Sequence, residues 1–105
     1  MRKISEQEFN ELKGTKSLVV CVSAGWCTNC RELHPRLERV EPEYPQGEFV
    51  EIDADSVSDE FIAKYGIEQL PHLFVSTKER DYPSMRHDYM TDDNNVRNYV
   101  GGCVT

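Results

Sequence analysis

The chain has 105 residues, 38% of them hydrophobic and 30% charged. That size and balance describe one water-soluble domain, residues 1–105, able to bury a core without metals or structural disulfides. Nineteen acidic against twelve basic residues leave a net charge of −7, which argues against nucleic acid and anionic membrane surfaces as partners.

Ser5-Glu6-Gln7-Glu8 reads as a capping box that opens a short helix, with Phe9 and Leu12 on one face and Gly14 to end it. Ile4 before it closes a small strand or acts as a hydrophobic staple. The stretch Ser17 to Ser23 contains the longest apolar run, Leu18-Val19-Val20-Cys21-Val22, too short to cross a bilayer. It reads as a strand buried on both faces, at the centre of a sheet covered by helices. A turn at Ala24-Gly25-Trp26 leads into a helical pattern carrying Leu33, Leu37 and Val40, with Pro35 inside it. Phe49 to Asp53 is a second strand, and Asp55 or Ser56 is placed to cap a third helix that Gly66 stops. Leu73-Phe74-Val75 is a third strand; the polar segment from Lys78 to Asp88, which holds Pro83, reads as a turn and an edge strand at best. Thr91-Asp92-Asp93 starts a last helix, and Gly101-Gly102 are expected to end it. This alternation predicts an α/β fold, a central mixed, mostly parallel sheet with helices on both faces.

Four cysteines stand at 21, 27, 30 and 103. Two are close together and two are isolated, the pattern of one reactive pair plus two ordinary thiols. Cys27 and Cys30 fall where a strand hands over to a helix. Unpaired N–H groups and the positive dipole end there favour thiolate over thiol, and residues three apart share a helix face. Cys27, at the tip, is the expected exposed attacker, and Cys30, one turn in, the resolver. Cys27, Cys30 and His34 also have the spacing of part of a zinc site, but a structural zinc wants four ligands and the β-to-α setting favours redox chemistry. No metal or other cofactor is expected. Trp26, Thr28 and Asn29, around and between the cysteines, are candidates for the docking face.

The segment VVCVSAGWCTNCRELHP, Val19 to Pro35, resembles the active-site segment of thioredoxins, as does Lys64-Tyr65-Gly66-Ile67 followed by Leu70-Pro71. The resemblance is strongest from Ser17 to Val75 and weak beyond. It implies a thioredoxin fold, a redox-active Cys27–Cys30 disulfide, a cis peptide at Pro71 beside it, and a Leu70 backbone that hydrogen-bonds an extended substrate.

Four departures bear on chemistry. Thr28-Asn29 replaces the Gly-Pro dipeptide, freeing a backbone N–H toward Cys27 and predicting a disulfide more oxidising than a typical thioredoxin's. Cys21 stands where the family has a buried aspartate, and Glu51 where it has the facing lysine. Glu51 is then either the base that deprotonates Cys30 or a solvent-facing residue with water in that role. His72 follows Pro71 and either tunes the disulfide or is an ordinary strand histidine. The bulky stretch Lys78 to Met90 lacks the family's turn glycine and its later substrate-contact glycine. Cys21 reads as a small buried hydrophobe, and Cys103, near the chain end, as an accessible bystander.

The first functional expectation is a monomeric, cytoplasmic reductase of protein disulfides, reset by a thioredoxin reductase or a glutathione system because the chain has no nucleotide-binding glycine motif. The start Met1-Arg2-Lys3-Ile4 has no apolar segment of signal-peptide length, which carries the cytoplasmic expectation. A disulfide oxidase or isomerase of the same fold, and a non-catalytic partner subunit, are the alternatives.

Overall fold

A computed structural model describes residues 1–104. The elements in chain order are β1 (Arg2–Ile4), α1 (Glu6–Leu12), β2 (Ser17–Ser23), α2 (Thr28–Val40), β3 (Gly47–Asp53), α3 (Asp59–Lys64), β4 (His72–Ser76) and α4 (Asp93–Cys103), with one-turn 3-10 helices at Glu41–Glu43, Ala54–Ser56 and His87–Tyr89. The sheet order is β1-β3-β2-β4. β3 runs parallel to both β1 and β2, and β4 runs antiparallel to β2.

β2 is therefore central, and its continuous apolar run is explained by burial on both faces. Val19 and Cys21 point with Phe49, Leu73 and Val75 toward Leu33, Leu37 and Val40 of α2 and Val96 and Val100 of α4. Leu18, Val20 and Val22 point the other way, with Val50, Ile52 and Phe74, onto Phe9 of α1 and Phe61 of α3. Ile4 is buried in that second layer and belongs to an edge strand, so the strand reading of the N-terminus holds. The capping box at Ser5 and Glu8 forms in both directions.

Two local expectations are corrected, and the start of the last helix holds. The cap of α3 is Ser58, not Asp55 or Ser56: its hydroxyl accepts the Phe61 N–H at 3.1 Å and donates to the Glu6 carboxylate at 2.8 Å, so a contact from α1 fixes where α3 begins. Asp92, within the expected Thr91-Asp92-Asp93 start, caps α4. That helix continues through Gly101 and Gly102 to Cys103. A Cβ at Gly101 would meet the Tyr44 hydroxyl at 2.7 Å, and that hydroxyl donates to the Arg97 carbonyl of α4. The glycine thus serves a close approach rather than a stop.

Beyond β4 the chain makes an irregular edge. An isolated antiparallel bridge joins Ser76 and Asp81, and the N–H groups of Tyr82 and Met85 donate to the Val75 and Leu73 carbonyls. Pro83 lies between those two donors and has no N–H of its own, which is why a regular ladder does not form.

A cysteine pair at the carboxyl end of the central strand

The carboxyl end of β2 delivers the chain into the Ala24-Gly25-Trp26 turn, closed by the Cys27 N–H donating to the Ala24 carbonyl at 3.1 Å. The Arg31 guanidinium donates to the Gly25 carbonyl at 2.7 Å, and the Trp26 indole N–H donates to the Asp55 carboxylate at 3.0 Å. The turn is therefore tied both to α2 and to the segment that leaves β3. Asp55, expected as a helix cap, instead orients Trp26, whose ring is 69% exposed beside the cysteines.

Cys27 is the N-cap of α2, and its sulfur accepts the Cys30 N–H at 3.2 Å. This is the donor geometry in which a helix start holds an anion. Asn29, whose N–H the missing proline frees, makes no hydrogen bond to that sulfur among the described residues. The expected extra donor is thus absent.

Both cysteines are free thiols, and both are buried, at 7% and 5% exposure. Cys27 was expected to be the exposed member; packing of Ala24 and the partly buried Leu70 against both residues covers it as well. Burial, and then a hydrogen bond with the Cys27 sulfur, pushes the Cys30 thiol up to about 12, so Cys30 holds its proton at neutral pH. The Leu70–Pro71 peptide is cis, as the resemblance implied. His72 is buried next to it, and burial lowers its pKa, which favours the neutral ring; it packs near Phe74 as an ordinary strand histidine does.

Glu51 lies one strand outward from Cys21, in the row Lys3, Glu51, Cys21, Leu73 across the four strands. It is half-buried and lines a cleft of about 350 Å³ together with Cys30, Ser23, Arg31, His34 and Asp53. The Ser23 hydroxyl, itself buried, donates to its carboxylate at 2.8 Å. Ser23 was not singled out in the sequence; its only signal is that it ends β2 two residues after Cys21, on the same face. Cys21 is fully enclosed, and burial raises its pKa strongly. Cys103 is buried rather than accessible, and burial raises its pKa too.

His34 is turned to Glu38, with Nδ1 3.0 Å from the carboxylate. Among the described residues no three His, Cys, Asp or Glu side chains converge as a metal-binding group, and no helix is long and apolar enough to cross a membrane. Thr28 and Asn29 form the exposed first turn of α2 between the cysteines.

The family model for thioredoxin matches residues 1–99. Chloroplastic thioredoxin X of Arabidopsis thaliana is 26% identical over 107 residues, spanning 99% of this chain and 58% of its own length. The thioredoxin of Echinococcus granulosus is 36% identical over 64 residues, spanning 61% of this chain and 59% of its own length. The chain spans little more than half the length of the curated relatives it matches, 58%, 51% and 52% for three of them. Among solved structures, Fasciola hepatica thioredoxin superposes with a TM-score of 0.75 at 26% identity, over 98% of this chain and 99% of that one. Oxidised thioredoxin of Plasmodium falciparum gives 0.82 at 20% identity, over 100% and 99%, a likeness of fold. Sequence, fold and the placement of the cysteine pair agree: the chain belongs to the thioredoxin family.

Proposed function

We propose that the protein is a thiol–disulfide oxidoreductase that reduces protein disulfides through a Cys27–Cys30 cycle. One observation carries the reading: Cys27 caps α2 with its sulfur on a helix N–H, while Cys30, one turn on, is held as a neutral thiol against it. In the first step the Cys27 thiolate attacks one sulfur of a substrate disulfide. An S–S bond to the substrate forms, the substrate's own S–S bond breaks, and the other substrate sulfur leaves as thiolate. Cys30 then gives up its proton, attacks the Cys27 sulfur and expels the second substrate thiolate. The substrate has gained two electrons and the protein is left as the Cys27–Cys30 disulfide, which an external dithiol reductase or glutathione restores.

The proton acceptor for Cys30 is Glu51, through water in the cleft the two residues share, with Ser23 holding the carboxylate in place. Glu51→Gln is expected to slow the resolving step about 100-fold near neutrality while leaving the first attack unchanged. The residual rate should climb with pH as hydroxide takes over, because burial disfavours the Cys30 thiolate. Rapid-mixing kinetics of the mixed disulfide reads this directly, and an unchanged resolving rate removes Glu51 from the mechanism. Trp26, Thr28, Asn29, Leu70 and Pro71 form the face that meets the substrate, and the protein acts as a monomer in a reducing cytosol.

Equilibration of the disulfide against glutathione tests the direction of the reaction. A single N–H on the Cys27 sulfur stabilises the reduced form no more than an ordinary helix cap does, so a potential near about −270 mV is expected. A value of roughly −180 to −120 mV would make the protein an oxidase or isomerase instead.

A further inference from the structure

Leu70 lies between the cysteine pair and the irregular segment that follows β4. Its side chain packs on Ala24, Cys27 and Cys30. β4 begins at His72, so neither backbone polar group of Leu70 belongs to the sheet. The resemblance implies that an extended substrate beside Cys27 hydrogen-bonds the Leu70 backbone, whose N–H and C=O are the donor and acceptor pair a strand needs in order to add itself to a protein surface. Among the described residues the Leu70 N–H has no hydrogen-bond acceptor. Its carbonyl, however, is taken: His87 Nε2 stands 3.1 Å from the Leu70 oxygen. A carbonyl only accepts, so Nε2 carries the proton in this contact.

The backbone that carries the ring is anchored on both sides. His87 opens the His87–Tyr89 turn, in which the Met90 N–H donates back to the His87 carbonyl. Met85 and Met90 on either side are buried in the core, and the Met85 N–H is bonded to Leu73 of β4.

We propose that His87 is a specificity-determining residue, a side-chain latch on the Leu70 carbonyl that an extended polypeptide must displace and a small disulfide need not. The proposal rests on the reading of Cys27 and Cys30 as the reactive pair. A polypeptide that docks on Leu70 exchanges one N–H···O=C bond for another at that oxygen and gains only the bond to the Leu70 N–H. The latch therefore withholds about one hydrogen bond of docking free energy from strand-like substrates and leaves compact ones untouched.

The test compares two substrates of the reduced full chain: an oxidised peptide with extended residues on both sides of its disulfide, and a small aromatic disulfide with no peptide backbone. His87→Phe keeps a ring and removes the donor; His87→Gln restores a donor. His87→Phe is expected to raise kcat/KM about fivefold for the peptide, mostly through KM, and to leave the aromatic disulfide unchanged. His87→Gln returns the peptide rate toward wild type. The aromatic rate also reports that each variant is folded. An unchanged or lower peptide rate in His87→Phe overturns the latch, as does an equal gain on both substrates. Inactivity of the wild type on both substrates defeats the reactive-pair reading, and the latch with it.

Discussion

Cys27→Ser is expected to abolish disulfide reduction, by about 10³-fold or more, whereas Cys30→Ser should carry out one half of the reaction and stop. A serine hydroxyl is not ionised at neutral pH and forms no bond to a substrate sulfur, so the first variant has no nucleophile. The second keeps Cys27 at the start of α2 but has nothing to expel the substrate, and a mixed disulfide accumulates with release of one thiol. Intact mass after mixing with a disulfide reads both outcomes: protein plus half a substrate for Cys30→Ser, unmodified protein for Cys27→Ser. Cys21 and Cys103 should not confuse the result, because burial raises both thiols and neither stands at a helix start with an N–H on its sulfur, as Cys27 does. An adduct on Cys27→Ser, or steady turnover by Cys30→Ser, would assign the chemistry to other residues.

The largest effect on stability is expected at Phe9. Its ring is fully enclosed on the face of the sheet opposite α2, edge-on to Phe61, Tyr65 and Phe74 at centroid distances of 5.6, 5.7 and 6.1 Å. Phe9→Ala removes both the buried area and the shared centre of that cluster, a cost of about 3–5 kcal/mol. A domain of this size has only about 5–15 kcal/mol to lose. The thermal midpoint should fall by more than roughly 12 °C, and the urea midpoint should fall with little change in slope. A drop of a few degrees would mean that α1 repacks over the gap. The same cluster carries Leu70 and Ile67 at its margin, so the variant should also loosen the loop that presents Pro71.

What the sequence makes legible is what neighbours in the chain decide. The Ser5–Glu8 capping box, the two-faced burial of β2 and the strand-to-helix placement of Cys27 and Cys30 are set by residues a few positions apart, and all three stand in the structure. The cis bond at Pro71 came from resemblance, since nothing local requires it. The misses are places where a distant residue decides. Glu6 selects Ser58 over Asp55 as the cap of α3. Tyr44 turns Gly101 from a helix stop into a site of close contact. Leu70 covers Cys27. His87 carried no signal at all, because its partner is a carbonyl seventeen positions earlier, reached through a segment with no periodicity to read.

The two borders of the sheet also bear on how copies of this protein stay apart from one another. One border is β1, three residues long and carrying Arg2 and Lys3; the other is shielded by the Asp81–Met85 segment, broken by Pro83. Short, charged or proline-interrupted borders are the means by which sheet proteins avoid templating aggregation. With both borders blunted and a net charge of −7 keeping copies apart, fibril-like stacking of this protein on itself is suppressed.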